Sequence, residues 1–375
     1  MAAFSYDALR RWPDLEAANL FAVDATDRMI TEQSATSVRA HPAHVVVIGD
    51  RYGALTLAAV AINGATGVRV HQDPLTGERA LANNAEATGL GATFASHGLD
   101  ADLVRGARIV LVQLPKSLAE LQEIAETVAR HADPGVVMYA GGRLKHMTPT
   151  MNDVLRACFD DVTATLARQK SRLLLARGPR ADVAATFPRR EHHEDLDLWV
   201  CAHGGAFGGT KIDLGTRFLL GSLDRMAPRA ATAADLGCGT GILAASLARS
   251  RPGLSVVATD DSAAAVASAA ETMRANGLAG RMRVVRDDAM SRIEPGTVDL
   301  VVCNPPFHLG TTVHAGAADR LFVAAGRVLR PGGELWTVFN TPLAHVSTLK
   351  RAVGPTTVVG RNEKFTVTRS VSSMR

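Results

Sequence analysis

Short runs of β-branched residues alternate with longer Ala/Leu-rich amphipathic stretches along nearly the whole chain, the pattern of strands and helices around a parallel sheet. In the first half this predicts strands over 44–49, 68–71, 93–96, 108–114 and 135–140, with helices near 53–63, 76–88 and 117–131. A second series predicts strands over 232–237, 254–260, 281–286, 298–304 and 334–340, then a terminal pair near 356–361 and 365–371. Its helices fall near 241–250, 263–276, 316–329 and 344–352, with one more at 215–224 ahead of the first strand. The class is α/β. At 375 residues the chain exceeds what one hydrophobic core organises, so two domains are expected, over 1–190 and 191–375.

The two series echo each other. GDRYGALTLAA (49–59) overlays GCGTGILAASL (237–247), and at the same offset of 188 residues ATGL (87–90) falls on ANGL (275–278). The strand ending QLPK (113–116) sits where the second series ends CNPPF (303–307), with about two residues of slippage. One fold present twice is the reading. The copies differ where chemistry would lie: Arg51 stands for Gly239, Gln72 followed by Asp73 stands for Asp260, and Leu114-Pro115-Lys116-Ser117 stands for Asn304-Pro305-Pro306-Phe307. The Arg51 side chain would take up space at the turn. The first copy should therefore not be catalytic, leaving it to bind a partner or brace the second.

No stretch approaches the ~18 consecutive apolar residues of a membrane helix, and the N-terminus lacks an apolar signal core, so a cytoplasmic protein is expected. Cys158, Cys201, Cys238 and Cys303 are widely spaced without a C-x-x-C pair, and His192 and His193 lack ligand spacing, so no metal and no disulfide framework is expected. The net charge of +4 is unevenly placed: residues 1–200 carry 21 Lys/Arg against 24 Asp/Glu, residues 201–375 carry 20 against 13. Residues 166–190 hold Arg168, Lys170, Arg172, Arg177, Arg180, Arg189 and Arg190 against Asp182 alone, a phosphate-binding stretch or a solvated linker.

DLGCGTG (235–241) joins an apolar run to a helix, where Gly237, Gly239 and Gly241 permit positive φ and let a ligand approach the backbone beside free helix N–H groups. Asp260 ends the next strand, 19 residues after Gly241, where a carboxylate accepts from both hydroxyls of a ribose. Asp287 and Asp288 follow the third strand; Asp288 is favoured as acceptor from an adenine amino group, with the Ala289 amide meeting a ring nitrogen. Asn304-Pro305-Pro306-Phe307 ends the fourth strand on the same edge. Two prolines stiffen that turn and turn carbonyls outward, so the Asn304 oxygen and the Pro305 carbonyl suit a planar amine while Phe307 suits the attached ring.

DLGCGTG, the acid of VVATDDS and NPPF together resemble the class I S-adenosylmethionine-dependent methyltransferases that act on amino groups. More closely, GGAFGGTKIDLGTRFLL (204–220), NPPFHLG (304–310), LRPGGELWTVFN (329–340) and NEKFTVTRS (362–370) look like the bacterial ribosomal RNA guanine-N2 methyltransferases. QLPKSLAELQEI (113–124), GRLKHMTP (142–149) and TATLARQKSRLLL (163–175) extend the likeness over almost the whole chain, the last favouring the large-subunit, 23S, branch. The resemblance implies two tandem Rossmann-like class I methyltransferase domains, the first degenerate and the second catalytic. It implies S-adenosylmethionine as cofactor, bound by Asp235, Gly237, Gly239, Gly241, Asp260, Asp288, Ala289 and Asn304, with Asn304, Pro305 and Phe307 at the reacting amine. Ribosomal RNA is the implied partner, its guanine flipped or unpaired against Phe307 and His308, with Lys170 and Arg172, and beside them Lys116, Lys145 and Arg168, on phosphates. Phe207, Lys211 and Asp213 match a family segment expected to cover the cofactor, although Gly208-Gly209 replaces its usual serine. Rival readings are a small-subunit 16S enzyme, a protein glutamine methyltransferase, and a non-catalytic RNA-binding assembly factor.

Overall fold

The computed structural model describes residues 4–305 and 312–373, without the side chains of 312–317. The chain divides into two compact units, Met1–Phe187 and Pro188–Arg375, so the division falls slightly ahead of 190 and gives Arg189 and Arg190 to the second unit.

In unit 1 the strands are β1 (Val45–Ile48), β2 (Val68–His71), β3 (Phe94–Ser96), β4 (Ile109–Gln113), β5 (Val137–Arg143), β6 (Phe159–Ala164) and β7 (Ser171–Pro179). Its helices are α1 (Ala25–Ala40), α2 (Ala54–Ala61), α3 (Leu75–Thr88), α4 (Ala101–Val104), α5 (Leu118–His131) and α6 (Pro149–Arg156). Unit 2 opens with a hairpin, β8 (Arg189–His193) and β9 (Leu198–Ala202), then α7 (Leu214–Leu220), β10 (Thr232–Leu236), α8 (Ile242–Ser250), β11 (Ser255–Asp260), α9 (Ala263–Ala275) and β12 (Met282–Arg286). It closes with β13 (Val298–Cys303), α10 (Thr312–Val328), β14 (Leu329–Asn340), α11 (Val346–Ala352), β15 (Thr356–Arg361) and β16 (Phe365–Val371).

Each unit holds a seven-stranded Rossmann-like sheet, ordered β3-β2-β1-β4-β5-β7-β6 and β12-β11-β10-β13-β14-β16-β15. Read strand for strand, the two orders are the same. Five strands run parallel, and an antiparallel strand, β7 or β16, lies between the parallel block and the last edge strand. The central strands are apolar on both faces because helices cover both: all of β1, β4 and β13 is buried. In unit 2, Leu243, Leu247, Met273 and Val302 pack in the cluster on one face, and Phe322, Leu335 and Phe339 in that on the other.

Besides the one-turn α4, four elements of unit 1 depart from the expectation. α1 is rich in Thr and Ser and buries only a narrow stripe through Met29, Ile30 and Val38, too weak a period to read. α6 is only eight residues long, and β6 is an edge strand that exposes Asp160 and Asp161. β7 buries Leu173, Leu174 and Ala176 between basic residues, so the segment that reads as a basic linker contains an interior strand. Its turn is tight: Gln169 and Lys170, both at positive φ, link Arg168 and Ser171, which exchange two backbone hydrogen bonds of 2.9 Å.

Candidate active site

Strand register lines up the residues singled out in the sequence. Leu236 pairs with Thr259 on one side and with Cys303 on the other, so Gly237, Asp260 and Asn304 occupy the next row, at the carboxyl edge. Open α/β sheets take ligands at this edge. A cavity of about 500 Å³ lies over the row, lined among others by Phe207, Lys211, Gly239, Asp260, Asp288 and Asn304.

The glycine loop is held from below and open above. Gly237 and Gly239 have φ of +72° and +52°, and a Cβ on either would meet nothing within 4 Å, so the backbone faces free space. Gly241 caps α8, and there a Cβ would come within 2.8 Å of Met273, so this glycine serves helix packing. Asp235 lies buried beneath the loop, where its Oδ2 accepts from the Ala244 amide at 3.0 Å. Burial pushes its carboxyl up to about 7, against the pull of that amide and with help from the charge of Asp260. Asp235 is therefore a support of the loop.

Asp260 is gripped by backbone: Oδ2 accepts from Gly239 N at 2.9 Å and Oδ1 from Ser262 N at 3.0 Å. The acid and the loop are thus one preorganised piece. The acid pair on the next loop splits its duties. Asp287 is buried and accepts from Ser291 Oγ at 2.5 Å and Arg292 N at 2.9 Å, closing its own turn. Asp288 lines the cavity and meets Arg320 of α10 at 2.8 Å, a cationic neighbour the sequence did not suggest. Ala289, which lines the cavity, and Met290, which is fully buried, follow with φ of +49° and +55°, left-handed backbone without glycine.

Asn304 is fixed by contacts from far along the chain. Its Nδ2 donates to Asp213 Oδ2 at 3.0 Å and to Thr216 Oγ1 at 2.9 Å, while its Oδ1 is buried with no hydrogen-bond partner among the described residues. Asp213 also accepts from Gly215 N and Thr216 N, capping α7. A buried amide oxygen left without a donor is costly unless a ligand supplies one. Pro305 is buried beside it. Phe207, on the segment leading to α7, lines the cavity yet is 76% exposed. Pro306, Phe307 and His308 lie outside the described residues.

Unit 1 carries a cleft of about 850 Å³ over the same edge. There Ile48 pairs with His71 and with Val112, so the equivalent row is Gly49, Gln72 and Gln113. This corrects the sequence alignment: Gln113, not Leu114, stands for Asn304, and the first copy keeps an amide at that place. Gln113 Nε2 donates to Asp27 Oδ1, and Gln72 Nε2 donates to the Asp50 carbonyl. Arg51 lines the cleft, its side chain 60% exposed and 3.8 Å from Asp24, the acid that caps α1 and lines the same cleft.

Of the basic stretch 166–190, Arg168 pairs with Glu32, Arg177 with Asp161 and Arg180 with Asp182, while Arg190 lies over the Trp199 ring. Lys170 is exposed at its turn; Arg172 is half buried on β7, its Nε without a partner. A second basic group rims the unit 1 cleft. Desolvation, then the charges of Lys145, Lys116, Arg51 and Arg143, hold His146 below the usual histidine range, a sign that these cations crowd one rim. His192 bonds Asp197 within the hairpin, and His193 bonds the Thr210 carbonyl on the segment after it. Among the described residues no helix is long and apolar enough to cross a membrane, and no group of three or more His, Cys, Asp or Glu side chains is placed to hold a metal ion.

Comparison with known proteins follows the same division. A family model described as the methyltransferase small domain matches residues 197–369, and one described as the RLMG N-terminal domain matches residues 2–180. The ribosomal RNA large subunit methyltransferase G of Streptomyces avermitilis is 33% identical over 97% of this chain and 96% of its own length. That of Pseudomonas aeruginosa is 33% identical over 96% of each chain. Among solved structures, RsmC of T. thermophilus, a 16S rRNA N2 methyltransferase in complex with AdoMet and guanosine, superposes with a TM-score of 0.73. It covers 98% of this chain and all of its own at 21% identity, and shares the fold of both units.

Proposed function

The chain belongs to the family of ribosomal RNA large subunit methyltransferase G, and from that premise we propose that it moves a methyl group from S-adenosylmethionine to the N2 amine of a guanine in 23S ribosomal RNA. The observation that carries this reading is the Asn304 oxygen, buried, without a donor among the described residues, and one row-mate of the glycine loop and Asp260.

The residues fit the cofactor. The open backbone of Gly237 and Gly239 admits a nucleoside, Asp260 is oriented to accept from ribose hydroxyls, and Asp288 with the Ala289 amide borders the place of the adenine. When bound, S-adenosylmethionine supplies a methyl carbon already electrophilic through its sulfonium, so the amine lone pair forms the N–C bond as the S–C pair returns to sulfur. Asn304 Oδ1 and the Pro305 carbonyl accept the amine N–H bonds and hold the nitrogen in line, which favours its pyramidal, nucleophilic form as the bond forms. The proton leaves to water afterwards and requires no strong base. A guanine within a helix cannot reach the row, so it must be flipped or unpaired; Phe307, with His308 beside it, offsets the lost stacking by about 1–3 kcal/mol. Lys170 and Arg172, with the cleft rim of Lys116 and Lys145, give unit 1 its place on RNA phosphates.

The test is nucleoside analysis of undermodified ribosomal RNA after methyl transfer from labelled S-adenosylmethionine. N2-methylguanosine in the 23S fraction is expected, and Asn304→Ala should lower turnover by about 10²–10³ with cofactor affinity largely kept. Label in 16S RNA would overturn the choice of subunit, and label in N6-methyladenosine or in protein alone would overturn the assignment of the amine.

A further inference from the structure

A primary amide presents either an acceptor or a donor, depending on how its last torsion is set, and the two settings differ little in shape. Only the setting that leaves Oδ1 to accept suits an incoming amine, and among the described residues Oδ1 is buried with no hydrogen-bond partner. The described contacts of Asn304 choose that setting. Asp213 has an ionisable carboxylate whose Oδ2, already accepting from Gly215 N at 2.9 Å and Thr216 N at 3.1 Å, sits 3.0 Å from Asn304 Nδ2. A carboxylate has no proton to offer in return, so the nitrogen end is drawn to it and the oxygen end is turned away. Thr216 Oγ1 supplies the second acceptor at 2.9 Å. The arrangement needs a glycine between them, since a Cβ on Gly215 would stand 2.9 Å from that same Asp213 oxygen and 3.6 Å from Asn304 Oδ1.

Resting on the reading that Asn304 grips the acceptor amine, we propose that Asp213 and Thr216 are positioning residues that lock the Asn304 amide with its oxygen toward the substrate nitrogen. The helix cap and the amine grip are thereby one device: the carboxylate cannot swing off Asn304 without uncapping α7. Unit 1 carries the same construction without the open oxygen facing a reaction. Asp24 caps α1, and three residues on, Asp27 receives the amide of Gln113, as Thr216 three residues after Asp213 receives that of Asn304. The contact between strand-end amide and first helix turn is thus common to both copies, and unit 2 turns it to the amine.

The test is a set of double-mutant cycles on the full-length chain, with turnover on undermodified 23S RNA and calorimetric cofactor binding as readouts. Asp213→Ala should lower kcat by about tenfold with little change in KM or in cofactor affinity, the scale of a misplaced reacting group. Asp213→Asn keeps an acceptor at the cap and should restore kcat to within about threefold of the parent. In an Asn304→Ala background Asp213→Ala should cost nothing more, because the residue acts only through that amide. An equal loss in both backgrounds, or no loss in the parent, overturns the lock. Should Asp213→Ala unfold α7, Thr216→Val decides: it keeps the cap and should lower kcat about threefold in the parent alone, and an unchanged kcat overturns the proposal. If Asn304→Ala itself leaves turnover intact, the amine grip has failed, which the cycle separates from failure of the lock.

Discussion

Two sheets of the same strand order meet their solvent edges differently. In unit 2 the row after the parallel strands is Gly237, Asp260 and Asn304; in unit 1 it is Gly49, Gln72 and Gln113. In the first row Asp260 accepts from the glycine loop, and Asn304 keeps an oxygen to which no described residue donates. In the second, Gln72 donates to the Asp50 carbonyl of the loop after β1, and Gln113 donates to Asp27 of α1. The glycines differ as well. Gly53 and Gly241, each the residue before a helix and each crowded by the next helix, persist in both copies. Gly239, whose missing Cβ leaves only open space, becomes Arg51 in unit 1. The glycines crowded by a helix are kept in both copies and Gly239 is not, while Gly237, beside open space, is kept as Gly49, whose Cβ would lie 3.0 Å from the Gln113 carbonyl.

The strongest way to break that comparison is to remove the second member of each row. Asp260→Ala should weaken S-adenosylmethionine binding by about 1.5–3 kcal/mol, the value of hydrogen bonds to a charged group. Gln72→Ala should leave it unchanged, and titration of the full chain should saturate at a single cofactor. Two equivalent binding events would mean that the unit 1 row still holds a ligand.

A smaller effect comes from buried acids, of which Asp27 and Asp235 are taken one from each unit. Burial raises Asp27 to about 7, helped by Asp24 and Asp50, and raises Asp235 to about 7 beneath the glycine loop. Each folded value lies above the ordinary 3.8, so the folded state holds that proton more tightly than the unfolded one. Stability from this source is whole below about pH 4 and is lost as pH climbs toward about 7, by at most about 1.4 kcal/mol per pH unit for each group. Hydrogen exchange resolved by unit should show Asp235→Asn flattening the pH slope of unit 2 alone, and Asp27→Asn that of unit 1 alone. A slope unchanged in both would show that neither proton matters to folding.

The smallest effect concerns charge on the surface. Lys170→Asn removes one cation at a turn whose left-handed backbone asparagine tolerates, and should reduce the log–log salt slope of RNA binding by about 0.7–0.9. Arg177→Gln, which breaks an exposed pair with Asp161, should leave the slope as it is. Equal slopes for Lys170→Asn and the parent would take the turn off the RNA.

Unit 2 was largely legible because its strands are short apolar runs bounded by glycine turns and its helices carry regular apolar stripes. Gly237, Asp260 and Asn304 were legible as spacings, and register then placed them in one row. What sets Asn304 was not legible: its partners Asp213 and Thr216 lie 91 and 88 residues away, and a capping acid looks the same whether or not it has a second task. Arg320 escaped notice for a similar reason, a lone cation on a helix whose acid partner lies on a distant loop. In unit 1 the error was one of alignment. Leu114-Pro115 invited comparison with Asn304-Pro305, and only the pairing of Ile48 with Val112 shows that Gln113 holds the place.

The position of the last strand bears on how the protein is made. β16 pairs with β14 on one side and β15 on the other, so residues 365–371 are an interior strand of the second sheet. Until they emerge, β15 has no neighbour and the buried flank of β14 stays unpaired. In unit 1 all seven strands are complete by Pro179. During synthesis, at about 5–20 residues per second, the first unit therefore has ample time to fold while the second waits. The unit that carries the row of Gly237, Asp260 and Asn304 is completed second, with strand edges unpaired until β16 emerges.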